Sequence, residues 1–348
     1  MGRKKVLHIL RMSEYSGAEK VAISIIKIFR NQYDMIYLAT DGTIREKLEE
    51  EQVKYVLLEK FTRKNIKRAI KKIHPDIVHA HDFTATLMIA GMKKDFRLIS
   101  HLHQDPLWAR KWNPKTLLFT AFLHRIDCLI VVSENSLQNF VFKTYCQKNV
   151  KVIHNLIDPN EIYCLANNEN GEKVYDLLFC GRFSEPKNPE RFVDIVEEVV
   201  KDGVNVHAAM LGRGPLFEDC KKRIIEKQLE NHIELLGFVN NPYWYMARSK
   251  IMCMTSRWEG YGLVAAEANV LGVPVLATRA VGFLKVYGDE TYEYCDSDEE
   301  FCVKIKELLQ DNQLYEHICE SSLKRVAHLT DIDCYKKEME AVYEEEER

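Results

Sequence analysis

The sequence predicts an α/β protein built from two doubly wound domains in tandem. Short apolar runs alternate with amphipathic helical stretches, which is typical of parallel sheets with helices on both faces. This alternation is interrupted once, at residues 155–176, and then restarts. The length of 348 residues also exceeds what one ordinary domain needs. We therefore expect domains at residues 1–165 and 166–330, followed by a C-terminal helix and acidic tail at 331–348.

In the first half, a buried strand at residues 4–10 precedes an amphipathic helix at 17–30. Five more strand-like runs follow, with helical stretches between most of them. They occupy residues 35–40, 54–59, 76–81, 96–103 and 128–133. The segment 155–176 contains Asn, Pro and Gly, and we interpret it as the connection between the domains.

In the second half, five strand-like runs alternate with three helical stretches. The predicted strands are 176–181, 205–212, 233–237, 251–256 and 273–278, and the predicted helices are 189–200, 215–229 and 263–271. The last helix is followed by Gly272 at the expected position after its end, with Pro274 just beyond. Ligands of doubly wound sheets bind at the carboxyl ends of the strands, so we expect a ligand there, in a cleft between the domains.

Composition excludes several other classes of protein. With 46% hydrophobic and 29% charged residues, the chain is an ordinary globular protein. None of its ten cysteines has CxxC spacing, which argues against a zinc ribbon or a dithiol redox site and favours reduced thiols. The N-terminal apolar run is too short for a signal peptide, and the longest apolar region is interrupted by His124, Arg125 and Asp127. We expect a cytoplasmic protein without a membrane-spanning segment.

Charge is distributed unevenly between the two halves. The net charge is −3, yet residues 1–155 contain 27 Lys and Arg against 15 Asp and Glu, and the remainder contains 22 against 37. This asymmetry predicts that the first half faces an anionic partner, and uneven solvation of two domains is the alternative. The sequence contains no nucleic-acid-binding motif, so we expect no nucleic acid partner.

Two loops of the second half have features of a phosphate site. Arg182 and Lys187 follow a predicted strand and precede a helix, where backbone N–H groups are also available. This pair suits a phosphate or diphosphate, although two solvated surface cations are the ordinary alternative. Gly212 and Gly214 allow a tight turn and a close approach of a ligand to the backbone.

The segment SRWEGYGLVAAEANVLGVPVLAT, residues 256–278, places two carboxylates among glycines that permit unusual backbone angles. Glu259 lies in the loop with Gly260 and Gly262, and Glu267 lies about one turn inside the following helix. A carboxylate at that position can accept hydrogen bonds from a vicinal diol such as a ribose. The alternatives are a solvated Glu259 and a Glu267 that caps its own helix.

Together these segments closely resemble the retaining glycosyltransferases of family 4, which have the GT-B architecture of two facing Rossmann-like domains. The resemblance covers nearly the whole chain, and its most specific part is a pair of glutamates separated by seven residues. The matching segments are SGAEKV, DIVHAHD, HLHQD, VVSENS, VIHNLID, LFCGRFSEPKN, MLGRGP and EGYGLVAAEANVLGVPVLAT. The resemblance implies a GT-B fold with an interdomain cleft, and we expect residues 331–348 to pack back on the N-terminal domain.

The resemblance also implies a role for each matching residue of the second half. Arg182 and Lys187 would bind the diphosphate of a nucleotide-sugar donor and neutralise the leaving group. Glu259 would lie near the transferred sugar as a further catalytic residue, and Glu267 would bind the ribose hydroxyls. Other donor contacts are expected from Gly181, Gly212, Gly214, Gly260, Tyr261, Gly262 and Leu263. No metal ion or other cofactor is expected, because the two cations and the helix N-termini supply the positive charge.

In the first half, the resemblance assigns Gly17 to donor binding and His103 to catalysis. Gly17 opens the first helix where the family usually has a Gly-Gly pair, and residue 16 is Ser here. His103 is the expected counterpart of the histidine beside the donor sugar. His101 is the runner-up, and a buried, hydrogen-bonded histidine is the structural alternative.

Two other segments bear on the resemblance. His79 and His81 resemble a metal-binding pair, but the family places this segment at a strand end that lines the cleft, so we expect no zinc there. After residue 278 the family usually has a Gly-Gly-x-Pro-Glu run, whereas this chain keeps Gly282, has Phe283 in place of the second glycine and lacks the Pro-Glu. That difference affects the choice of donor more than the activity.

The resemblance implies transfer of a hexose or N-acetylhexosamine from a nucleotide sugar, with a UDP-sugar favoured. The acceptor would be a lipid-linked saccharide or oligosaccharide in bacterial capsule or exopolysaccharide synthesis. Two alternatives stay open: a non-catalytic GT-B subunit that binds a nucleotide sugar or supports a partner transferase, and a sugar-nucleotide epimerase. The basic segment 61–73 and the Trp-containing segment 107–115 predict peripheral binding to the anionic inner face of the cell membrane, with a plain solvated surface as the alternative.

Overall fold

The computed structural model describes residues 2–92, 95–146, 149–166, 174–259, 261–280 and 292–345. It contains two compact units. Unit 1 comprises residues 1–156 and 331–348, and unit 2 comprises residues 157–330. The chain therefore changes unit at 156/157, before the predicted boundary at 165/166.

Unit 1 is built on seven parallel strands. They are β1 (Lys5–Ile9), β2 (Asp34–Thr40), β3 (Tyr55–Leu58), β4 (Ile77–Ala80), β5 (Arg97–Leu102), β6 (Cys128–Val131) and β7 (Val150–Val152). Their order in the sheet is β3-β2-β1-β4-β5-β6-β7, so the direction of strand succession reverses between β1 and β4. Every residue of β4, β5 and β6 is buried, as expected for a parallel sheet covered on both faces.

Unit 2 is built on five parallel strands. They are β8 (Tyr175–Cys180), β9 (Ala208–Leu211), β10 (Ile233–Gly237), β11 (Ser249–Met254) and β12 (Val275–Ala277). Their order is β10-β9-β8-β11-β12, and the reversal lies between β8 and β11. Both sheets thus have the strand order of a doubly wound fold, which confirms the predicted class.

Fourteen α-helices are present in the described residues. Those of unit 1 are α1 (Gly17–Phe29), α2 (Ile44–Glu50), α3 (Arg63–Ile73), α4 (Phe83–Ala90), α5 (Pro114–Phe122) and α6 (Glu134–Asn139). Those of unit 2 are α7 (Pro159–Ala166), α8 (Pro189–Lys201), α9 (Phe217–Glu226), α10 (Pro242–Ala247), α11 (Leu263–Val270), α12 (Asp298–Gln310) and α13 (Asn312–Val326). The last helix, α14 (Ile332–Glu344), belongs to unit 1.

Short polar residues set the starts of several helices. Asp82 accepts a hydrogen bond from the N–H of Ala85 at 2.6 Å and begins α4. Asn113 and Thr116 form a reciprocal capping box at the start of α5. These caps satisfy N–H groups that the first helical turn leaves without partners.

The predicted connection at 155–176 is partly wrong, because it contains helix α7. Pro159 occupies the first turn of that helix, and the Asp158 carboxylate accepts hydrogen bonds from the N–H groups of Asn160 and Glu161 at 2.9 and 3.3 Å. The Asp-Pro pair therefore begins a helix here, whereas we interpreted it as a break. Strand β7 was also missed, since it has three half-buried residues at the end of the sheet.

Helix α14 completes the core of unit 1. Met339, Val342 and Tyr343 are almost fully buried, and the Tyr343 ring lies at 5.6 Å from that of Phe29 between centroids. The Arg97 guanidinium, at the start of β5, donates to the Val342 carbonyl and forms an ion pair with Glu345. The C-terminal segment is thus bound to unit 1 by apolar packing and by charge.

All ten cysteines are free thiols, and six of them are buried. Within the described ranges, no helix has both the length and the apolar character needed to span a bilayer.

Candidate functional site

The carboxyl ends of three neighbouring strands meet at one edge of the unit 2 sheet. Strands β9, β8 and β11 are adjacent, and the loops that follow them contain residues 212–216, 181–188 and 255–262. This edge includes the point where strand order reverses, which is the usual ligand position in doubly wound folds. The sheet therefore brings together the three loops that the sequence singled out.

An ion pair joins the loops after β8 and β11. The Lys187 ammonium contacts the Glu259 carboxylate, and both side chains are largely buried, with 25% and 12% of their surface exposed. The Thr255 hydroxyl donates to the Asn188 carbonyl at 2.8 Å, and the Arg257 N–H donates to the Pro186 carbonyl at 2.8 Å. These two hydrogen bonds join the loops that carry the ion pair at the switch point of the sheet.

Arg182 supplies a second cation on the same loop. The residue is exposed, and among the described residues its guanidinium forms no ion pair. Gly181 precedes it, and a Cβ atom added at Gly181 would lie 3.9 Å from the Lys187 side chain. A cation that is open to solvent next to a paired lysine suits an anion that arrives from solution.

The loop after β9 packs tightly against the loop after β8. Gly212 has a φ of +129°, and a Cβ atom there would lie 1.9 Å from the Gly181 carbonyl oxygen. A Cβ atom at Gly214 would lie 2.2 Å from the Phe183 carbonyl oxygen. The close contact between the two loops therefore requires glycine at both positions, even without a ligand. The sequence analysis did not predict this contact.

Glu267 lies in α11, the helix that follows the loop after β11, and 6% of the residue is exposed. One of its carboxylate oxygens accepts a hydrogen bond from the Tyr243 hydroxyl at 3.3 Å. The carboxylate also contributes to raising the pKa of the Cys180 thiol to about 12, after burial as the main cause and against an opposing effect of Lys187. The Glu267 carboxylate is thus held by a side chain of α10, and it lies close to the end of β8.

Tyr243 was missed by the sequence analysis. It lies on α10, which Pro242 begins, and no local pattern distinguishes its hydroxyl from that of a tyrosine that only packs. The contact with Glu267 joins residues 24 apart in the chain.

The backbone conformation before the first residue of α11 explains why residue 262 is a glycine. Gly262 has a φ of +84° and caps the helix in the left-handed conformation, which glycine adopts without strain. Tyr261 beside it is buried, and Leu263 is half-buried at the first helical position. Gly260, Gly282 and Phe283, which the sequence also singled out, lie outside the described residues.

In unit 1, Gly17 and His103 lie after strands β1 and β5 respectively. Gly17 is exposed at the first turn of α1, next to Ser16, whose hydroxyl donates to Glu19. His103 is 8% exposed, and its Nε2 lies 2.9 Å from Nδ1 of His81. Burial lowers the pKa of His103 to about 4, against a smaller opposing effect of Asn155, so the imidazole is neutral at physiological pH.

Comparison with known proteins identifies the family. A profile of Glycosyltransferase Family 4 matches residues 15–161, and a profile of Glycosyl transferases group 1 matches residues 165–325. The two matches together span most of the chain. This chain belongs to the family 4 glycosyltransferases.

Relatives of this family 4 glycosyltransferase are distant in sequence. It is 25% identical over 236 residues to an uncharacterized 41.2 kDa protein in the cps region of Klebsiella pneumoniae, covering 62% of this chain and 63% of that protein. It is 22% identical over 328 residues to the Campylobacter jejuni N-acetylgalactosamine-N,N'-diacetylbacillosaminyl-diphospho-undecaprenol 4-alpha-N-acetylgalactosaminyltransferase, covering 86% of this chain and 88% of that protein.

A solved structure shares the fold of this glycosyltransferase. Anabaena HepE in complex with UDP-glucose matches with a TM-score of 0.82 and 20% identity, over 97% of this chain and 99% of that protein. At this identity the similarity establishes the fold, and the GT-B class predicted from sequence is confirmed.

The structure thus brings together most of the predicted donor residues of unit 2. Arg182, Lys187, Glu259, Gly212 and Gly262 lie in three loops at one sheet edge, with Glu267 in the helix that follows. Their functional roles stay predictions.

Proposed function

We propose that this glycosyltransferase transfers a sugar from a UDP-sugar to a lipid-linked or oligosaccharide acceptor in bacterial surface polysaccharide synthesis. The Campylobacter relative is named for an undecaprenyl diphosphate-linked acceptor, the Klebsiella relative is from a cps region, and HepE is known with UDP-glucose. The observation that carries the proposal is the Lys187–Glu259 ion pair beside the exposed Arg182.

Donor binding would replace Glu259 by the diphosphate as the ionic partner of Lys187. The donor diphosphate carries two negative charges and attracts both the ammonium and the guanidinium, while it repels the Glu259 carboxylate. Once Lys187 has turned to the diphosphate, the Glu259 carboxylate would accept hydrogen bonds from hydroxyls of the transferred sugar. Glu267, held by Tyr243, would accept hydrogen bonds from the ribose diol.

The proposed reaction retains the configuration at the anomeric carbon. The bond between that carbon and the diphosphate oxygen breaks, and a bond to the acceptor oxygen forms on the same face through an oxocarbenium-like state. The acceptor proton passes to the leaving diphosphate oxygen. Lys187 and Arg182 stabilise the charge that grows on the diphosphate, so they act most strongly at the transition state.

The proposed reaction needs no divalent ion at the diphosphate. Two side-chain cations and the N–H groups at the start of α8 supply the positive potential that Mg²⁺ provides in other transferases. Turnover should be unchanged in excess EDTA. A loss of turnover that Mg²⁺ or Mn²⁺ restores would contradict this part of the proposal.

In this proposal, the membrane-binding surface of unit 1 is formed by the predicted Trp-containing segment 107–115 together with helix α5, and not by the apolar side chains of segment 61–73. In segment 61–73 the cations are exposed, whereas Ile66 and Ile70 are buried in the core, so α3 offers charge and no apolar face. Helix α5 differs, since Leu117 and Leu118 are 57% and 49% exposed.

We define the α5 patch as Lys111, Trp112, Lys115, Leu117 and Leu118. Trp112 is 47% exposed, and both lysines are exposed beside it. Helices α3 and α5 both pack against α4. Apolar side chains flanked by cations are typical of proteins that bind the surface of an anionic bilayer.

Flotation with phosphatidylglycerol liposomes tests the α5 patch. We expect binding at low salt that weakens at high salt, and a clear loss when Leu117 and Leu118 are both replaced by Ser. Ile225→Ser, at a similarly exposed position in unit 2, is the matched control. Absence of binding at both salt concentrations would exclude the membrane proposal.

A donor panel tests the proposed function. Purified protein is incubated with several UDP- and GDP-sugars, with and without a bacterial membrane lipid extract, and nucleotide release and sugar products are measured. Acceptor-dependent release of UDP would support transfer. A converted sugar nucleotide without acceptor would indicate an epimerase, and binding without any product would indicate a non-catalytic subunit.

A further inference from the structure

Three buried histidines of unit 1 are joined by hydrogen bonds, and we call them the histidine row: His8 of β1, His81 just after β4 and His103 just after β5. Nδ1 of His8 lies 2.9 Å from Nε2 of His81, and Nδ1 of His81 lies 2.9 Å from Nε2 of His103. Both distances are those of hydrogen bonds. His81 therefore uses both of its ring nitrogens inside the row.

The rings of the row are well oriented for these hydrogen bonds. The ring centroids of His8 and His81 are 5.2 Å apart with an interplanar angle of 25°, and those of His81 and His103 are 5.2 Å apart with an angle of 3°. This separation equals the N···N distance plus the two ring radii, so each hydrogen bond runs along the line between two ring centres. The N–H of one ring thus points at the lone pair of the next.

Each ring of the row is neutral at physiological pH. Burial lowers the pKa of His8 to about 3 and that of His103 to about 4. Burial also lowers the pKa of His81 well below its ordinary value, with the neighbouring imidazoles as a further cause. A neutral imidazole has one N–H and one lone pair. A ring that donates on one side must therefore accept on the other, so the tautomers of the three rings depend on one another.

Only two arrangements of protons satisfy both hydrogen bonds of the row. In the first, His8 donates to His81, His81 donates to His103, and the outer nitrogen of His103, Nδ1, carries a proton. In the second, each donor becomes an acceptor, so Nδ1 of His103 has a lone pair and Nε2 of His8 carries a proton. A change in one ring alone would set two protons or two lone pairs against each other.

The two ends of the row favour the first arrangement. Nε2 of His8 is buried without a hydrogen-bond partner among the described residues. The first arrangement gives this atom a lone pair, whereas the second would bury an unpaired N–H, which native proteins rarely do. At the other end, the Asn155 side chain opposes the lowering of the His103 pKa. An oxygen that accepts from the ring has that effect, and it suits an N–H on His103.

The outer nitrogen of His103 is the one left for a ligand. Its Nε2 is bound to His81, whereas Nδ1 has no hydrogen-bond partner in the described part of the chain. Oδ1 of the buried Asn155 also has none there. Two polar atoms without partners in the interior indicate that a further group binds at this end of the row.

We propose that His8 and His81 are positioning residues that hold His103 with its proton on Nδ1, so that His103 meets the substrate as a hydrogen-bond donor. The inference rests on the proposed function, for which the family resemblance places His103 beside the donor sugar. Nδ1 would donate to an oxygen of that sugar. Because this nitrogen already carries a proton, it cannot take the acceptor proton, which agrees with the proposed transfer of that proton to the diphosphate.

NMR of the full chain with isotope-labelled histidine tests the tautomer. A ring nitrogen that carries a proton and one that has a lone pair resonate far apart, so the spectrum reports the tautomer of each ring. The signals of His103 are those that are missing from His103→Gln. We expect the proton on Nδ1, although free histidine prefers it on Nε2. Any other result at neutral pH, whether a proton on Nε2, a mixture of tautomers or a charged ring, would overturn the proposal.

His81→Phe tests whether the row sets this tautomer, because it removes both hydrogen bonds. His103 should then return to the ordinary preference for a proton on Nε2. In His81→Asn an amide N–H takes the position of Nδ1, so His103 should keep its proton on Nδ1. The matched control is His79→Phe, which removes an equally buried imidazole outside the row and should leave the tautomer of His103 unchanged.

Two outcomes with these variants would contradict the role of the row. They are an unchanged tautomer in His81→Phe, and the same change in His79→Phe. If His81→Phe does not fold, His8→Phe takes its place. It removes the donor to His81 and leaves that ring either tautomer, so His103 should show both. A His103 that still has its proton only on Nδ1 in His8→Phe would contradict the role of His8.

Steady-state kinetics tests the consequence for the reaction. His81→Phe should lower kcat/KM about 10-fold, the effect of one well-placed hydrogen bond, and His81→Asn should restore most of it. Affinity for UDP should stay unchanged in both variants, because UDP has no sugar to contact His103. His79→Phe should retain its activity. Full activity of His81→Phe would overturn the positioning role.

The NMR measurement separates this inference from the proposed function, because it needs no substrate. A protein with the proton on Nδ1 that transfers no sugar would contradict the proposed function, and with it the contact to a sugar, but not the tautomer. Sugar transfer by a protein with the proton on Nε2 would support the proposed function and overturn the inference.

Discussion

The five strands of unit 2 have the same order as the first five strands of unit 1, but the two units place opposite chemistry at the carboxyl ends of their central strands. In unit 2 these ends carry Arg182, Lys187 and Glu259, which are charged and at least partly exposed. In unit 1, the central strands and the residues just after them carry five buried histidines, which we call the imidazole cluster: His8, His79, His81, His101 and His103. A doubly wound sheet therefore fixes where a site can form, and the side chains at that edge decide its chemistry.

The comparison also shows what net charge indicates and what it does not. The first 155 residues have an excess of basic residues, yet the two cations proposed for the diphosphate lie in the acidic remainder. The excess of unit 1 lies instead on exposed faces such as α3. Net charge thus predicts the character of a surface, and the loop sequence predicts the site.

The largest expected effect follows from removing both cations of unit 2. The double variant Arg182→Ala, Lys187→Ala should lower kcat/KM about 1,000-fold or more, because both groups stabilise the leaving diphosphate. Steady-state kinetics on the best donor of the panel measures it. Lys221→Ala, an exposed lysine of α9, is the control and should retain full activity. Unchanged turnover in the double variant would mean that the two cations do not act on the diphosphate. The proposed charged site of unit 2 would then be wrong.

The next effect concerns the loop contact that shapes this site. Gly212→Ala should destabilise the protein by about 4 kcal/mol or more, because the added Cβ overlaps the Gly181 carbonyl. Gly203 is the matched control, since it has a φ of +83° but open space around its Cβ position. Gly203→Ala should cost only about 1 kcal/mol for backbone strain. Chemical denaturation measures the free energy of unfolding of both variants. Equal losses would mean that the close contact at Gly212 does not cause the destabilisation.

Acid should destabilise unit 1 through the imidazole cluster. In the unfolded chain these histidines protonate near pH 6.5, whereas the folded-state pKa is about 3 for His8 and about 4 for His103. The unfolded state therefore binds more protons, and stability falls as the pH falls from 6.5 towards 4. Each histidine contributes about 1.4 kcal/mol per pH unit in that window.

Peptide-resolved hydrogen exchange of the protein between pH 7 and 5 should detect this loss in unit 1. His101→Phe should weaken the pH dependence by about one histidine's share, about 1.4 kcal/mol per pH unit. His124→Phe should leave it unchanged, because that histidine is exposed. Equal acid sensitivity of His101→Phe and the unaltered protein would contradict the proposed cause.

The smallest effect is expected for a substitution of Glu259, which should change UDP affinity and kcat differently. Glu259→Gln removes the negative partner of Lys187, so affinity for UDP should be kept or rise a few-fold, while kcat falls about 10- to 100-fold. Calorimetric titration with UDP and steady-state kinetics measure the two quantities. Glu226→Gln, at an exposed position of α9, is the control. Weaker UDP binding in Glu259→Gln would contradict the exchange of partners at Lys187.

The site of unit 2 was more predictable from sequence than the cluster of unit 1. Gly262 and Lys187 belong to short loops whose backbone geometry and charge are encoded locally. The cluster depends on strand register, which sets His8 beside His79, and on Tyr343, which is 264 residues from the histidine that it contacts. Contacts between distant segments leave no pattern in a single sequence, which is also why Tyr243 was missed.

Because α14 belongs to unit 1 but follows unit 2 in the chain, synthesis on the ribosome delivers all of unit 2 before this part of unit 1. Until Met339, Val342 and Tyr343 emerge, the sheet that they cover presents apolar surface to the cell. Unit 2 can therefore fold first, and a premature stop near residue 331 would leave unit 2 whole while it exposes apolar surface of unit 1.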